Sequence, residues 1–149
     1  MPARREDVEA VLAPGLREQD VQELAALGLT PAVLRDSWEV SAPHRFVIKA
    51  DSEPVGIFGA RAYPGTNQLH GIPWMLGNDG LYSIARDLVV QSPIWVSYLN
   101  EVYPVLVNWI DVRNTVSRRW LEHAGFKFDH QDSTPMGGTE FIRFYRLGD

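Results

Sequence analysis

The stretch PVLVNWIDVRNTVSRRWLEHAGF, residues 104–126, constrains the fold more than any other part of the chain. Its first part, 104–112, is a nearly continuous apolar run, which is how a strand covered on both faces reads. Asn114 stands where that strand gives way to a helix, and its side chain can cap the free N–H groups of the first helical turn. The helix is predicted over 114–124, with Trp120 and Leu121 on its buried face. Gly125 ends it, and Phe126 packs back as the next strand begins.

The rest of the chain supplies matching elements. REDVEAVLA places Val8, Val11 and Leu12 on one helical face, and Pro14-Gly15 breaks that helix. REQDVQELAALG places Val21, Leu24 and Leu27 together and ends at Gly28 as a C-cap, while Thr30-Pro31 reads as N-cap and first residue of a third helix through about Trp38. Strands follow at 44–51 and 54–63, a hairpin across the Asp51–Pro54 turn, and at 68–77, where Pro73 is awkward for a central strand because it cannot donate to a ladder. Residues 80–102 read as a kinked helix or two consecutive helices, with Ser92-Pro93 as a fresh N-cap and first residue. FKFDH and EFIRFYRL read as a final hairpin turning at Gly137-Gly138. Strand, helix and strand across 68–112 predict a parallel pair, 68–77 beside 104–112, joined by a right-handed helical crossover. The expected fold is a single α/β domain, 1–149, with a mixed sheet of about six strands and a helical N-terminal third.

Composition narrows the function classes. With 149 residues, 45% hydrophobic and 22% charged, the chain can bury a substantial core. It has no cysteine, which removes disulfides, thiolate metal sites and a Cys nucleophile. The formal charge of −5 argues against a nucleic-acid binder. There is no run of 18 apolar residues to span a membrane, and the charged N-terminus lacks the apolar core of a secretion signal. No nucleophile elbow, Walker loop or zinc-protease motif is present. Asp129, His130 and Asp132 are read as polar hairpin residues, and no metal site is expected. Trp74, Trp95, Trp109 and Trp120 are flanked by Ile, Val and Leu and read as core rather than as base-stacking residues.

Asn114, a small Ser117 three positions on, an apolar Trp120 at six, and Gly125-Phe126 at eleven and twelve resemble the last helix of the GNAT fold, the Gcn5-related N-acetyltransferases. The apolar strand and long helical crossover before it fit the same fold. Over nearly the whole chain, LREQDVQELAALG, VIKADSEPVGIFGA, GIPWMLGND and YPVLVNWIDVRNTVSRRWLEHAGF are similar to the internal virion protein A-type, GNAT-like proteins of short-tailed bacteriophages.

The GNAT resemblance implies an acetyl-CoA site in which Asn114, Ser117 and Gly77 would touch the cofactor. It also exposes departures. The phosphate-binding loop, normally Gln/Arg-x-x-Gly-x-Gly/Ala, reads MLGNDG here, with Gly77 and Gly80 at the wrong spacing and Asp79 bringing negative charge. The alternative reading of that loop is a tight turn with Asp79 as N-cap. Pro73 deletes a backbone donor on the strand that normally faces the pantetheine arm. Leu121 stands where the family carries a proton-donating Tyr, for which Tyr82 or Tyr103 would have to substitute.

Two catalytic candidates remain. His70 is the only titratable side chain in 68–76 and has a suitable ordinary pKa for base work, though a single His at a strand end is more often a surface or hydrogen-bonded histidine. Asp111 lies near the carboxyl end of the apolar strand, where α/β folds bind ligands, but Arg113 or Arg118 are natural ion-pair partners. The Arg113, Arg118 and Arg119 cluster reads as a solvated helix face able to meet an acidic surface. The expectation is therefore a phage virion-associated or assembly-related protein on a GNAT scaffold. It would carry no required cofactor, contact other virion proteins or a host protein, and reside in the virion or the host cytoplasm. The alternatives are an acyl-CoA-dependent N-acyltransferase with a divergent cofactor loop and a host-takeover inhibitor that binds a host protein.

Overall fold

The computed structural model describes residues 2–66 and 69–148, and their side chains except at 130–132. The elements run α1 (Arg5–Leu12), α2 (Glu18–Ala26), α3 (Val33–Val40), β1 (Arg45–Ala50), β2 (Glu53–Ala62), β3 (His70–Gly77), a 3-10 helix (Asp79–Ile84), α4 (Ala85–Val102), β4 (Val105–Asp111), α5 (Thr115–His123), β5 (Lys127–Met136) and β6 (Thr139–Leu147). The strands form one six-stranded sheet in the order β1-β2-β3-β4-β6-β5. β3 and β4 are parallel, in register at His70–Val105 and Gly71–Leu106, as the strand-helix-strand order predicts. Among the described residues no helix is long and apolar enough to cross a membrane. The chain divides into two compact units, Met1–Arg61 with Trp74–Ala85, and Ala62–Pro73 with Arg86–Asp149.

In the first unit, Val8, Val11, Leu16, Leu24, Leu34, Val47 and Ile57 form the core, with Leu12, Trp38, Trp74 and Leu76 packed against it. α1 buries Val8 and Val11 as their spacing predicts, and Asp7 accepts a hydrogen bond from the Arg4 N–H at its start. α2 turns a different face inward than its apolar residues suggest. Asp20 and Leu24 are buried one turn apart, while Val21 and Leu27 lie exposed. The reason is an ion pair, taken up below. α2 ends as its glycine predicts: Gly28 has φ +73°, the Leu29 N–H reaches Leu24 O, and the Gly28 N–H reaches Ala25 O. α3 begins at Val33 rather than at Thr30-Pro31, whose carbonyls instead accept from Val33 and Leu34 in a preceding turn. The β1–β2 hairpin turns at Asp51 and Ser52, both with positive φ, which matches the right-handed twist of the strands.

The second unit is built on β4. Every β4 residue is in antiparallel register with β6, from Val105–Leu147 to Asp111–Phe141, and β6 pairs with β5 around a bulge. α4 is one continuous helix in which Pro93 is interior, not a new start. Proline removes the N–H that would bond Val89 O four residues back. The Ser92 hydroxyl donates to that carbonyl at 3.2 Å, so the helix continues. α5 closes with the Gly-Phe signature. Gly125 takes φ +95°, its N–H bonds Glu122 O, and the Phe126 N–H bonds Leu121 O, bringing buried Leu121 and Phe126 to the same helix end. Trp74, Trp95, Trp109 and Trp120 are half-buried rather than central core residues, because the smaller Leu, Ile, Val and Phe side chains fill the fully buried positions.

Candidate functional site

At the end of β4 the chain has to reverse from strand to helix within three residues, and Asp111 organises that turn. It is 2% exposed, and its carboxylate accepts from the Arg113 backbone N–H (2.9 Å), Nε (3.0 Å) and Nη2 (2.6 Å). Burial pushes the Asp111 carboxyl up, but the hydrogen bonds and charge of Arg113 outweigh it and hold the group below the usual carboxylate value. A general base is tuned the other way, towards neutrality. Asp111 is thus held as a carboxylate, with Arg113 as its ion-pair partner. Arg118 donates instead to Val112 O and lies over the Phe128 ring, so only Arg119 of the predicted arginine face is both exposed and outside these contacts.

Asn114 then opens α5. Its Oδ1 accepts from the Ser117 N–H at 3.1 Å, and both residues are buried. Replacing Asn114 with Ala leaves that N–H without its acceptor and is expected to lower stability by about 1 kcal/mol, measured by chemical denaturation. Leu121 is buried at the helix end and has no proton to give.

His70 lies at the opposite end of the parallel pair. It is in register with Val105, six residues before Asp111 on β4, roughly 20 Å away at strand rise. The structure therefore does not bring the two catalytic candidates together. Tyr103 packs beside this end: a Cβ on Gly71 would stand 2.5 Å from its ring, and burial pushes its hydroxyl pKa up. The parallel register with β4 is held by His70 and Gly71. Pro73 has no N–H, and its carbonyl accepts from Asn108 Nδ2 at 2.6 Å.

In the first unit, the turn after β3 is closed on itself. The Gly77 N–H donates to the Asp20 carboxylate at 3.1 Å, the Asn78 N–H to Val55 O, the Gly80 N–H to Asn78 Oδ1 and the Leu81 N–H to Asn78 O. Asn78, rather than Asp79, is the cap of the 3-10 helix, and its amide also donates to Val11 O. Asp20 is held by a buried bidentate pair with Arg17, at 3.0 Å to Nε and 2.9 Å to Nη2. Burial raises the Asp20 pKa against the opposing charge of Arg17. Gly77 and Gly80 are both packed: an added Cβ would lie 2.3 Å from Leu81 Cδ1 at Gly77 and 2.4 Å from Val55 Cγ1 at Gly80. Tyr82 is exposed and donates to Gln19.

Arg17, Asp20, Asn78 and Asn108 carry these sites, and none stood out in the sequence. An Arg and an Asp three apart at a helix start read as surface charge, and single asparagines carry no spacing. Of the DHQD residues, Asp129 pairs with Arg143 at 2.8 Å; the side chains of His130 and Asp132 lie outside the described residues.

No family model and no curated protein sequence matches the chain. Solved structures do. Ard1 from Thermoplasma volcanium matches with TM-score 0.70 at 12% identity, covering 100% of this chain and 96% of that one. A GCN5-related N-acetyltransferase from Kribbella flavida matches with TM-score 0.69 at 16% identity, covering 99% and 95%. An acetyltransferase of the GNAT family from Bacillus anthracis matches with TM-score 0.65 at 16% identity, covering 98% and 92%. At such identities what is shared is the three-dimensional arrangement, and the chain has the fold of the GNAT acetyltransferases.

Proposed function

We propose that this chain uses the GNAT fold as a scaffold for protein contacts and not for acyl transfer, as a virion-associated or assembly-related protein of a short-tailed bacteriophage. The observation that carries the first half is the Asp20 carboxylate seated on the Gly77 N–H. An acetyl-CoA pyrophosphate needs free N–H groups and positive potential at the turn before the long helix. Here four of the five N–H groups from Gly77 to Leu81 already donate to protein acceptors, one of them an anion, and Asp79 adds an exposed carboxylate. Pro73 and Leu121 remove a strand donor and a proton donor. The residues present do not fit the cofactor. The phage half is supported by the sequence resemblance that runs along nearly the whole chain.

Two measurements test the proposal. Millimolar acetyl-CoA is expected to leave the melting temperature unchanged, whereas saturation at about 100 times Kd would add roughly 2.7 kcal/mol to any native state that bound it. Mass spectrometry of purified virions is expected to find the chain in the particle. A thermal shift with acetyl-CoA, followed by release of free CoA to a primary amine, would establish the acyltransferase reading instead. Absence from particles and assembly intermediates would remove the virion role.

A further inference from the structure

Three donors converge on the two oxygens of the Asp20 carboxylate. Its Oδ1 accepts from Arg17 Nη2 at 2.9 Å, and its Oδ2 accepts from Arg17 Nε at 3.0 Å and from the Gly77 N–H at 3.1 Å. Two parallel guanidinium donors on the two oxygens of one carboxylate make the strongest geometry open to such a pair. The Arg17 and Asp20 side chains are 6% and 5% exposed. The donors are placed by contacts that do not involve the Asp20 side chain. The Arg17 N–H bonds Gly77 O at 2.8 Å, Leu16 and Asn78 form an antiparallel bridge beside it, and the Asn78 amide holds Val11 O. Asp20 also lies in the first turn of α2, whose free N–H groups favour an anion.

We propose that the Arg17 guanidinium and the Gly77 N–H form a carboxylate-binding site whose tethered ligand is Asp20, an autoinhibitory contact that keeps the turn after β3 from taking an external anion. Autoinhibition here rests on the reading of that turn as closed to acetyl-CoA, since both use the Asp20–Gly77 contact. The site suits a carboxylate better than a phosphate group. The fork of Arg17 matches a flat acceptor with two oxygens. The surroundings are also tight: at Gly77 even a Cβ would stand 2.3 Å from Leu81 Cδ1 and 2.8 Å from Val55 O, which favours the smaller planar group over a tetrahedral one. Truncating Asp20 defines the ligand by size. Asp20→Ala removes one carboxylate group, the volume of formate. Asp20→Gly removes one carbon more, the volume of acetate. Either change leaves a buried guanidinium without its counter-charge, which a matching carboxylate from solvent relieves.

Urea denaturation in sodium formate, acetate, phosphate or chloride at equal ionic strength tests this. Each response is taken relative to the parent in the same salt, which removes general salt effects. In chloride, Asp20→Ala is expected to have a lower midpoint than the parent. Formate is expected to restore part of that loss, saturating with a half-effect on the order of 10 mM. Acetate is expected to do less than formate for Asp20→Ala and at least as much for Asp20→Gly, while phosphate does no more than chloride for either. If Asp20→Ala does not fold in chloride, the readout is recovery of folded protein on dilution from urea into formate. Asp20→Asn fills the same space with an amide and is expected to fold and to ignore formate. Asp20→Ala combined with Arg17→Met is expected to ignore it as well. No gain from formate in Asp20→Ala, an equal gain in Asp20→Asn or without Arg17, or a phosphate gain as large as that of formate would overturn the proposal. Acetyl-CoA enters none of these readouts. A shift of the parent with acetyl-CoA would remove the scaffold reading, whereas Asp20 variants indifferent to formate would remove the carboxylate site alone.

Discussion

Replacing Arg17 with Met is expected to destabilise the chain by about 3–5 kcal/mol, read by urea denaturation at neutral pH. The Arg17 and Asp20 side chains are 6% and 5% exposed. Removing the guanidinium leaves a buried carboxylate with only the Gly77 N–H to compensate it. The pH dependence of the loss identifies its cause. Burial already raises the Asp20 pKa, and without Arg17 it rises further. A carboxyl whose folded pKa lies above its unfolded value contributes stability below the unfolded value, near 4, and loses it as pH rises through the folded one. The deficit of Arg17→Met relative to the parent is therefore largest at neutral pH and shrinks on acidification. Asp111, whose pKa is lowered, acts in the opposite sense, but it acts equally in parent and variant and cancels in the difference. A deficit that stays constant from neutral pH down to about pH 4 would show that lost packing, not an orphaned charge, is responsible.

This pair also marks where the sequence stops being legible. The elements could be read because their signals are local. The Asn114 cap, the Gly125-Phe126 stop, the Asp51-Ser52 turn and the unbroken apolar run of β4 each specify backbone geometry within a few residues. The parallel neighbours β3 and β4 followed from element order alone. The misses share a different cause. α2 was expected to bury Val21 and Leu27, yet it buries Asp20, because a carboxylate 57 residues from Gly77 in sequence satisfies its N–H. Asn108 meets Pro73 across 35 residues. Ser92-Pro93 looked like a helix start because the hydroxyl that repairs the missing hydrogen bond is invisible to periodicity. Polar side chains that complete someone else's backbone carry no pattern of their own, and the candidate site is made mostly of them.

Gly77→Ala is expected to cost about 2–3 kcal/mol, and that loss is coupled to the side chain of Leu81. If Gly77 were kept so that a cofactor phosphate can approach the backbone, the Ala variant would fold as well as the parent and lose only ligand binding. The contacts point elsewhere. The new methyl would stand 2.3 Å from Leu81 Cδ1, 3.0 Å from Leu81 Cγ and 2.8 Å from Val55 O, the carbonyl that accepts the Asn78 N–H. Leu81 is 2% exposed and has no open side to retreat to. Leu81→Ala alone opens a cavity and is expected to lose about 2–5 kcal/mol. In the double variant the methyl at 77 moves into space the leucine has left, so the two losses should fall short of their sum by about 1–2 kcal/mol. Recovery is partial because the clash with Val55 O is with backbone and persists. A double-mutant cycle by chemical denaturation reads this coupling directly. Losses that add to within about 0.5 kcal/mol would mean that Leu81 does not hold this position closed. A stable Gly77→Ala would return the turn to the class of open, ligand-ready loops.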